Sequence, residues 1–246
     1  MEWYNALILG IIQGLTEFLP ISSSGHLVVA SHFMNVENTL GFDVAVHVGT
    51  LFSVLIYYRK RLLSFFKPPF DTIKRLIVAT FPAALVMLLF RNEIEKAFSV
   101  SFVPVGFMIS AILLFVVDYL RGDKEPTYTS SLVAGLFQAV AVLPGISRSG
   151  STIFGSRLLG VERTEAVDFS FLMSIPVIFG SGVVALFDKS VQIDATSCSI
   201  GLVTSFAFGL LAIKLTVAAV KKAKTKFFAL YLALLSVGLT VYNFVS

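Results

Sequence analysis

The sequence predicts an all-α polytopic membrane protein, with six transmembrane helices and two re-entrant helix hairpins arranged as an inverted-topology repeat. Three observations predict it. Of 246 residues, 56% are hydrophobic and only 14% charged, with a mean hydropathy of +0.87; a soluble domain carries about a quarter charged residues. Apolar runs of about 20 residues, the length that crosses a bilayer, recur along the chain. The chain also repeats itself at an offset of 125 positions, pairing Gln13 with Gln138, Ser22 with Ser147, Ser24 with Ser149, Gly25 with Gly150, Asp43 with Asp168 and Phe81 with Phe206. Pro20 and Pro144 fall one residue short of that offset, so the duplication carries one small gap.

In chain order, residues 3–19 read as a helix stopped by Pro20, and Ser24 to Met34 as a second short helix. Neither spans a bilayer comfortably. Short segments broken by Pro and Gly at matching places in both halves read as re-entrant hairpins, whose irregular backbone must line protein or a cavity rather than lipid. Residues 128–160 form the second such pair. Crossings are predicted at about 41–58, 73–90, 101–120, 165–187, 199–220 and 226–244. That is three per half, and an odd number inverts one half relative to the other. The halves, about 1–122 and 123–246, form one integral membrane domain with no room for a separate soluble one.

The net charge of +4 and pI near 9.2 read as a topology signal, not as a nucleic-acid footprint. Fourteen basic residues fall on one face: six in 59–75, Arg121 and Lys124, Arg157 and Arg163, and four in 221–226. The opposite face carries Arg91, Lys96 and Lys189. The basic face is expected to be cytoplasmic, which puts both termini outside a multi-pass cell-membrane protein. Cys198 is the single cysteine, so no internal disulfide forms. Glu2 and the lack of a basic leading segment argue against a cleaved signal peptide.

The chemistry concentrates in the two hairpins. Gln13 and Glu17 are one turn apart on one helix face, and a carboxylate with a nearby amide oxygen suits a hard divalent cation; interhelical hydrogen bonding is the structural alternative for both. Ser22, Ser23 and Ser24 open the next helix, where free N–H groups and the dipole favour an anion. Plain N-capping explains one serine but not three. His26 follows within reach of the same pocket, whereas His32 and His47 lack such company and read as structural. In the second hairpin, Pro144-Gly145 makes a tight turn. Ser147, Ser149, Ser151 and Thr152 supply hydroxyls, and Arg148 supplies a permanently charged fork matched to phosphate oxygens. An ion pair of Arg148 with Glu17 is the structural alternative, compatible with the functional one before substrate arrives.

These motifs resemble those of the bacitracin-resistance family of undecaprenyl-diphosphate phosphatases. The family pattern is Glu-or-Gln-x-x-x-Glu followed by a serine-rich Gly-His, then Pro-Gly-x-Ser-Arg-Ser-x-x-Thr. This chain has Gln13 to Glu17, Ser22 to His26, and Pro144 to Thr152, so the resemblance covers essentially its whole length. Gln13 is the amide variant of the first position, which weakens its claim as a required metal ligand. The resemblance implies hydrolysis of a polyprenyl diphosphate to the monophosphate lipid carrier, with Mg²⁺ or Ca²⁺ as cofactor. The site expected is Glu17, Ser23, His26 and Arg148 as catalytic groups, Ser23 being the candidate nucleophile and His26 the candidate base or acid. Ser22, Ser24, Gly145, Ser147, Ser149 and Thr152 would bind phosphate, and Gln13 and Glu17 the metal. Direct attack by water stays open. Expected partners are the lipid substrate and membrane lipids, not nucleic acid, and a homodimer is compatible. A lipid-phosphate flippase using the same anion pocket is the competing class, since broken helices in inverted repeats also mark transporters.

Overall fold

The computed structural model describes residues 1–36, 40–65, 68–187 and 194–245. Among them every regular element is helical; one isolated parallel bridge joins Lys124 to Val161. The first half contains α1 (Trp3–Phe18), α2 (Ser23–Met34), α3 (Leu40–Tyr57), α4 (Arg59–Phe65), α5 (Asp71–Lys96) and α6 (Val103–Val117). The second half contains α7 (Tyr128–Val140), α8 (Arg148–Leu158), α9 (Arg163–Leu186), α10 (Ala195–Lys221) and α11 (Lys226–Val245). Five of these, α3, α5, α9, α10 and α11, are long and apolar enough to cross a membrane.

The expected crossing at 101–120 contracts to the 15 residues of α6. Pro104 sits in its first turn, where the missing N–H costs nothing, and the chain leaves the helix at Asp118. At about 1.5 Å per residue α6 is too short to cross a bilayer unaided. The expected crossing at 73–90 instead runs on to Lys96 past a break at Phe90 (φ −123°, ψ 19°). The extension is held by Arg91–Glu95 and Lys96–Glu93 pairs on its exposed surface. Part of the basic loop is also helical, as α4. Lys67 and Lys189 of the charge distribution lie outside the described residues.

The densest packing crosses between halves. Helix α10 lies against both α1 and α3, and small residues allow it. A Cβ on Gly14 would stand 2.7 Å from the Ser205 carbonyl oxygen, and one on Gly49 2.4 Å from that of Leu202. Hydroxyl-to-carbonyl bonds reinforce the contact, from Ser53 to Phe206 (2.8 Å) and from Thr216 to Phe18 (3.1 Å). Helix α11 packs on α6 the same way, through Thr225 to Leu114 (2.9 Å) and Ser236 to Pro104 (2.7 Å). Without a hydrophobic driving force between helices in lipid, close backbone approach and such bonds supply the association.

Two arginines close the ends of elements. Arg157 is buried, with its guanidinium donating to the carbonyls of Val161 (2.5 Å), Gly122 (3.3 Å) and Leu120. Arg61 of α4 bridges to α9 through Glu165 and Asp168, each at 2.6 Å, and Tyr58 donates to the same Asp168 at 2.6 Å. Large apolar side chains such as Leu88, Phe179 and Leu234 are left exposed, a surface that fits hydrocarbon rather than water.

Candidate active site

The residue before Pro20 cannot stay helical without clashing with the proline ring. Leu19 accordingly turns to φ −59°, ψ 138°, and α1 ends at Phe18. Three residues later Ser22 caps α2, its hydroxyl accepting from Gly25 N at 3.3 Å. In the other hairpin Gly145 makes the turn at φ +84°, where a side chain would also strike the Val103 carbonyl. Ser147 then caps α8, accepting from Gly150 N at 3.1 Å. The repeat survives in detail: Ser22 pairs with Ser24 at 3.4 Å and Ser147 with Ser149 at 3.3 Å. The backbones differ, though. Ser147 is relaxed (φ −70°, ψ 117°) and Ser22 is not (φ 70°, ψ 98°). A non-glycine residue in such a region carries on the order of 1–3 kcal/mol of strain, the kind that collects at functional sites.

The two hairpins meet. Ser149 Oγ donates to the Leu19 carbonyl at 3.3 Å, and a Cβ on Gly25 would stand 2.9 Å from Gly145 Cα. Ser23 and Arg148 are each the first residue of their helix, and both reach Glu17. Ser23 Oγ donates to Glu17 Oε2 at 2.5 Å, Gln13 Nε2 donates to the same oxygen at 3.1 Å, and Arg148 Nη2 pairs with Oε1. Glu17 is buried and Arg148 nearly so. One carboxylate therefore stands where two helix N-termini converge, each contributing roughly half a positive charge. Together with the guanidinium, this is a ready site for an anion larger than a carboxylate.

Sequence reasoning named eleven hairpin residues beyond Ser151 for this region, and the structure sorts them by their bonds. Glu17, Ser23, Arg148 and Gln13 form the hydrogen-bonded centre. Ser22, Ser147 and Ser149 are occupied as caps and stitches. Thr152 is wholly buried, bonded to the carbonyls of Arg148 (3.0 Å) and Ser149 (3.1 Å) and to Ser170 Oγ (2.6 Å). The Gly145 carbonyl accepts from Ser110 Oγ at 3.0 Å, and that oxygen accepts from Ser147 N at 2.7 Å. The described contacts of His26 are with Ser22 O, Phe107 and Tyr231; the group bonded to Ser23 is Glu17. His47, read as structural, lies within electrostatic reach of Glu17 and bonds the Asp43 carbonyl at 2.7 Å. The related pair Asp43 and Asp168 has diverged: Asp168 is held by Tyr58 and Arg61, while Asp43 Oδ1 is buried without a partner among the described residues.

Ser110, Ser170 and Tyr231 escaped sequence reasoning. A lone hydroxyl in an apolar run, as at Ser110 and Ser170, was a usable signal; a tyrosine in α11 was not, since aromatic residues there read as packing or interface anchors.

Gln13 Oε1 is buried without a partner among the described residues, one helical turn from Glu17, whose carboxylate also accepts from Ser23. No group of three or more His, Cys, Asp or Glu occurs among the described residues. The set fits a hard cation that takes one carboxylate and one or two neutral oxygens and keeps the rest of its shell for phosphate and water, as Mg²⁺ does.

The family model described as bacitracin resistance protein BacA matches residues 6–238. An undecaprenyl-diphosphatase of Thermosipho africanus (strain TCF52B) is 38% identical over 244 residues, covering 95% of this chain and 97% of the relative. One of Christiangramia forsetii is 37% identical over 264 residues, covering 99% of both. Undecaprenyl-diphosphatase 3 of Bacillus cereus (strain ATCC 14579) is 38% identical over 243 residues, covering 94% and 93%.

Proposed function

Since the chain belongs to the BacA bacitracin resistance family, we propose that it hydrolyses undecaprenyl diphosphate to the monophosphate carrier and inorganic phosphate, recycling the lipid used in cell-wall synthesis. The observation that carries the mechanism is the shared carboxylate of Glu17, with a serine hydroxyl on one oxygen and a guanidinium on the other. The diphosphate enters as the competitor for Arg148. Its oxygens take the guanidinium fork and the free N–H groups at the starts of α2 and α8, leaving Glu17 bonded to Ser23. Ser23 Oγ then attacks the terminal phosphorus as Glu17 takes its proton. The phosphoanhydride bond breaks and prenyl phosphate leaves with that proton; water then attacks the phosphoserine, its proton passing through the same carboxylate to Ser23 Oγ as inorganic phosphate departs. Charge developing on the phosphoryl oxygens is met by Arg148 and two helix dipoles already in place. Glu17, Gln13 and Ser23 would hold a divalent cation, which would supply positive charge against the phosphate oxygens.

The same reading places the reaction inside the membrane. Six crossings, α6 counted among them, and two re-entrant hairpins, α1–α2 and α7–α8, form an inverted repeat that folds as one integral domain. The basic loops face the cytoplasm and both termini lie outside. With Cys198 replaced by serine, a cysteine at Lys222 is expected to react with a membrane-impermeant thiol reagent only after cells are opened. Labelling of intact cells would overturn the orientation.

The function is tested by phosphate release from undecaprenyl diphosphate by purified protein in detergent, with metal titration. Release is expected to stop on chelation and return with Mg²⁺ or Ca²⁺. Gln13→Ala is expected to raise the metal concentration needed by roughly tenfold and leave the saturated rate near wild type, because water replaces a neutral ligand. Absence of release, with lipid phosphate instead crossing liposome bilayers, would replace hydrolysis by transport.

A further inference from the structure

His26 is held at both ring nitrogens. Nδ1 lies 2.7 Å from the Ser22 carbonyl oxygen, which can only accept, so Nδ1 carries a proton. In the neutral ring Nε2 is then the lone-pair nitrogen, and it lies 2.8 Å from the Tyr231 hydroxyl, which donates to it. The two ring planes are nearly parallel, 14° apart, with the rings stacked, and Phe107 packs against the imidazole from α6 at 5.0 Å. Tyr231 comes from α11, at the far end of the second half, whereas His26 belongs to the first hairpin. The bond spans 205 residues, and α2 and α11 meet again where His32 and Phe33 contact Tyr242.

Ser23 hands its proton to Glu17, so the imidazole is not needed for that step. An imidazole can carry a proton in either direction, and the lone pair of this one is committed to a phenol. We propose that Tyr231 is a positioning residue for the hydrolysis: its hydroxyl fixes the rotation of the His26 ring and keeps Nε2 as the acceptor nitrogen at the edge of the diphosphate site. The proposal rests on the phosphatase reading above. It makes a residue of the last helix part of a site otherwise built by the two hairpins.

Tyr231→Phe removes one oxygen from a half-exposed side chain and keeps the ring. It is expected to lower kcat by roughly tenfold, a fraction of the hundredfold or more that a proton-transferring group contributes. KM for undecaprenyl diphosphate and thermal stability in detergent should not change. In a His26→Gln background the same substitution should cost nothing further, since residues acting as a unit do not add. Ring-¹⁵N spectra of the three histidines, assigned with His26→Gln, give a readout that does not depend on turnover. The Nε2 resonance of His26 should move in Tyr231→Phe to that of a nitrogen with no donor. A kcat equal to wild type, a loss that persists without His26, or an unmoved Nε2 resonance would each overturn the positioning role while leaving the phosphatase reading intact. A wild-type protein that releases no phosphate would overturn that reading instead, and with the Nε2 resonance moved the bond would stand as a structural tie between α2 and α11.

Discussion

Arg148→Ala is expected to reduce phosphate release by on the order of a hundredfold or more, the usual cost of losing one preorganised charge stabiliser. Arg148 starts α8, so its guanidinium and the positive end of the helix act at one place. Deleting the side chain also strands Glu17, because breaking a buried pair leaves an uncompensated charge worth roughly 3–5 kcal/mol. The carboxyl meets that cost by taking up a proton, and then it cannot serve as the base for Ser23. Loss of kcat should therefore exceed loss of substrate affinity. Arg148→Lys restores the charge but not the planar fork, and one ammonium cannot hold two phosphate oxygens as the guanidinium does. It is expected to recover only a small part of the rate. Normal release from either variant, measured on protein whose melting temperature matches wild type, would remove Arg148 from the mechanism.

Ser23→Ala is expected to lower turnover by roughly a thousandfold or more, the scale seen when a nucleophile is lost from a coupled catalytic unit. The substitution removes the 2.5 Å bond to Glu17 but leaves Arg148, both helix N-termini and the α2 cap, which belongs to Ser22. Binding of undecaprenyl diphosphate should persist. Wild-type enzyme quenched in acid during turnover of substrate labelled in its terminal phosphate should carry label on Ser23. If Ser23→Ala kept turnover within a few fold of wild type, water would be the attacking group and Glu17 its base.

Much of this site was legible before any coordinates. The 125-residue offset aligned Ser22 with Ser147, and these two are the caps of α2 and α8, each accepting from the glycine three residues on. Pro20 and the Pro144-Gly145 pair marked the breaks, because proline and a positive-φ glycine act locally and need no partner to be read. The one-turn spacing of Gln13 and Glu17 put them on one face, where they bond. Roles that depend on three-dimensional company were not legible. Ser23 and His26 are close in sequence, which suggested a serine–histidine pair, yet the hydrogen bond that Ser23 donates goes to Glu17. Thr152 and Ser149 look alike as hydroxyl donors in a motif, but their bonds to Ser170 and Leu19 reach elements that no spacing rule connects. The divergence of Asp43 from Asp168 was hidden for the same reason, since Arg61 lies on a short helix read as loop.

The buried Arg157 sets an order for making the protein. Leu120 and Gly122 end the first half, and their carbonyl oxygens find their donor in a guanidinium that leaves the ribosome some 35 residues after them. Helices α1 and α3 wait longer still, because the glycine-lined faces they present are filled by α10. A nascent chain that has delivered only its first half thus holds uncapped carbonyls at its end and an unfilled seam between its helices. The two halves depend on each other for packing, and the first to be synthesised lacks these partners until the second arrives.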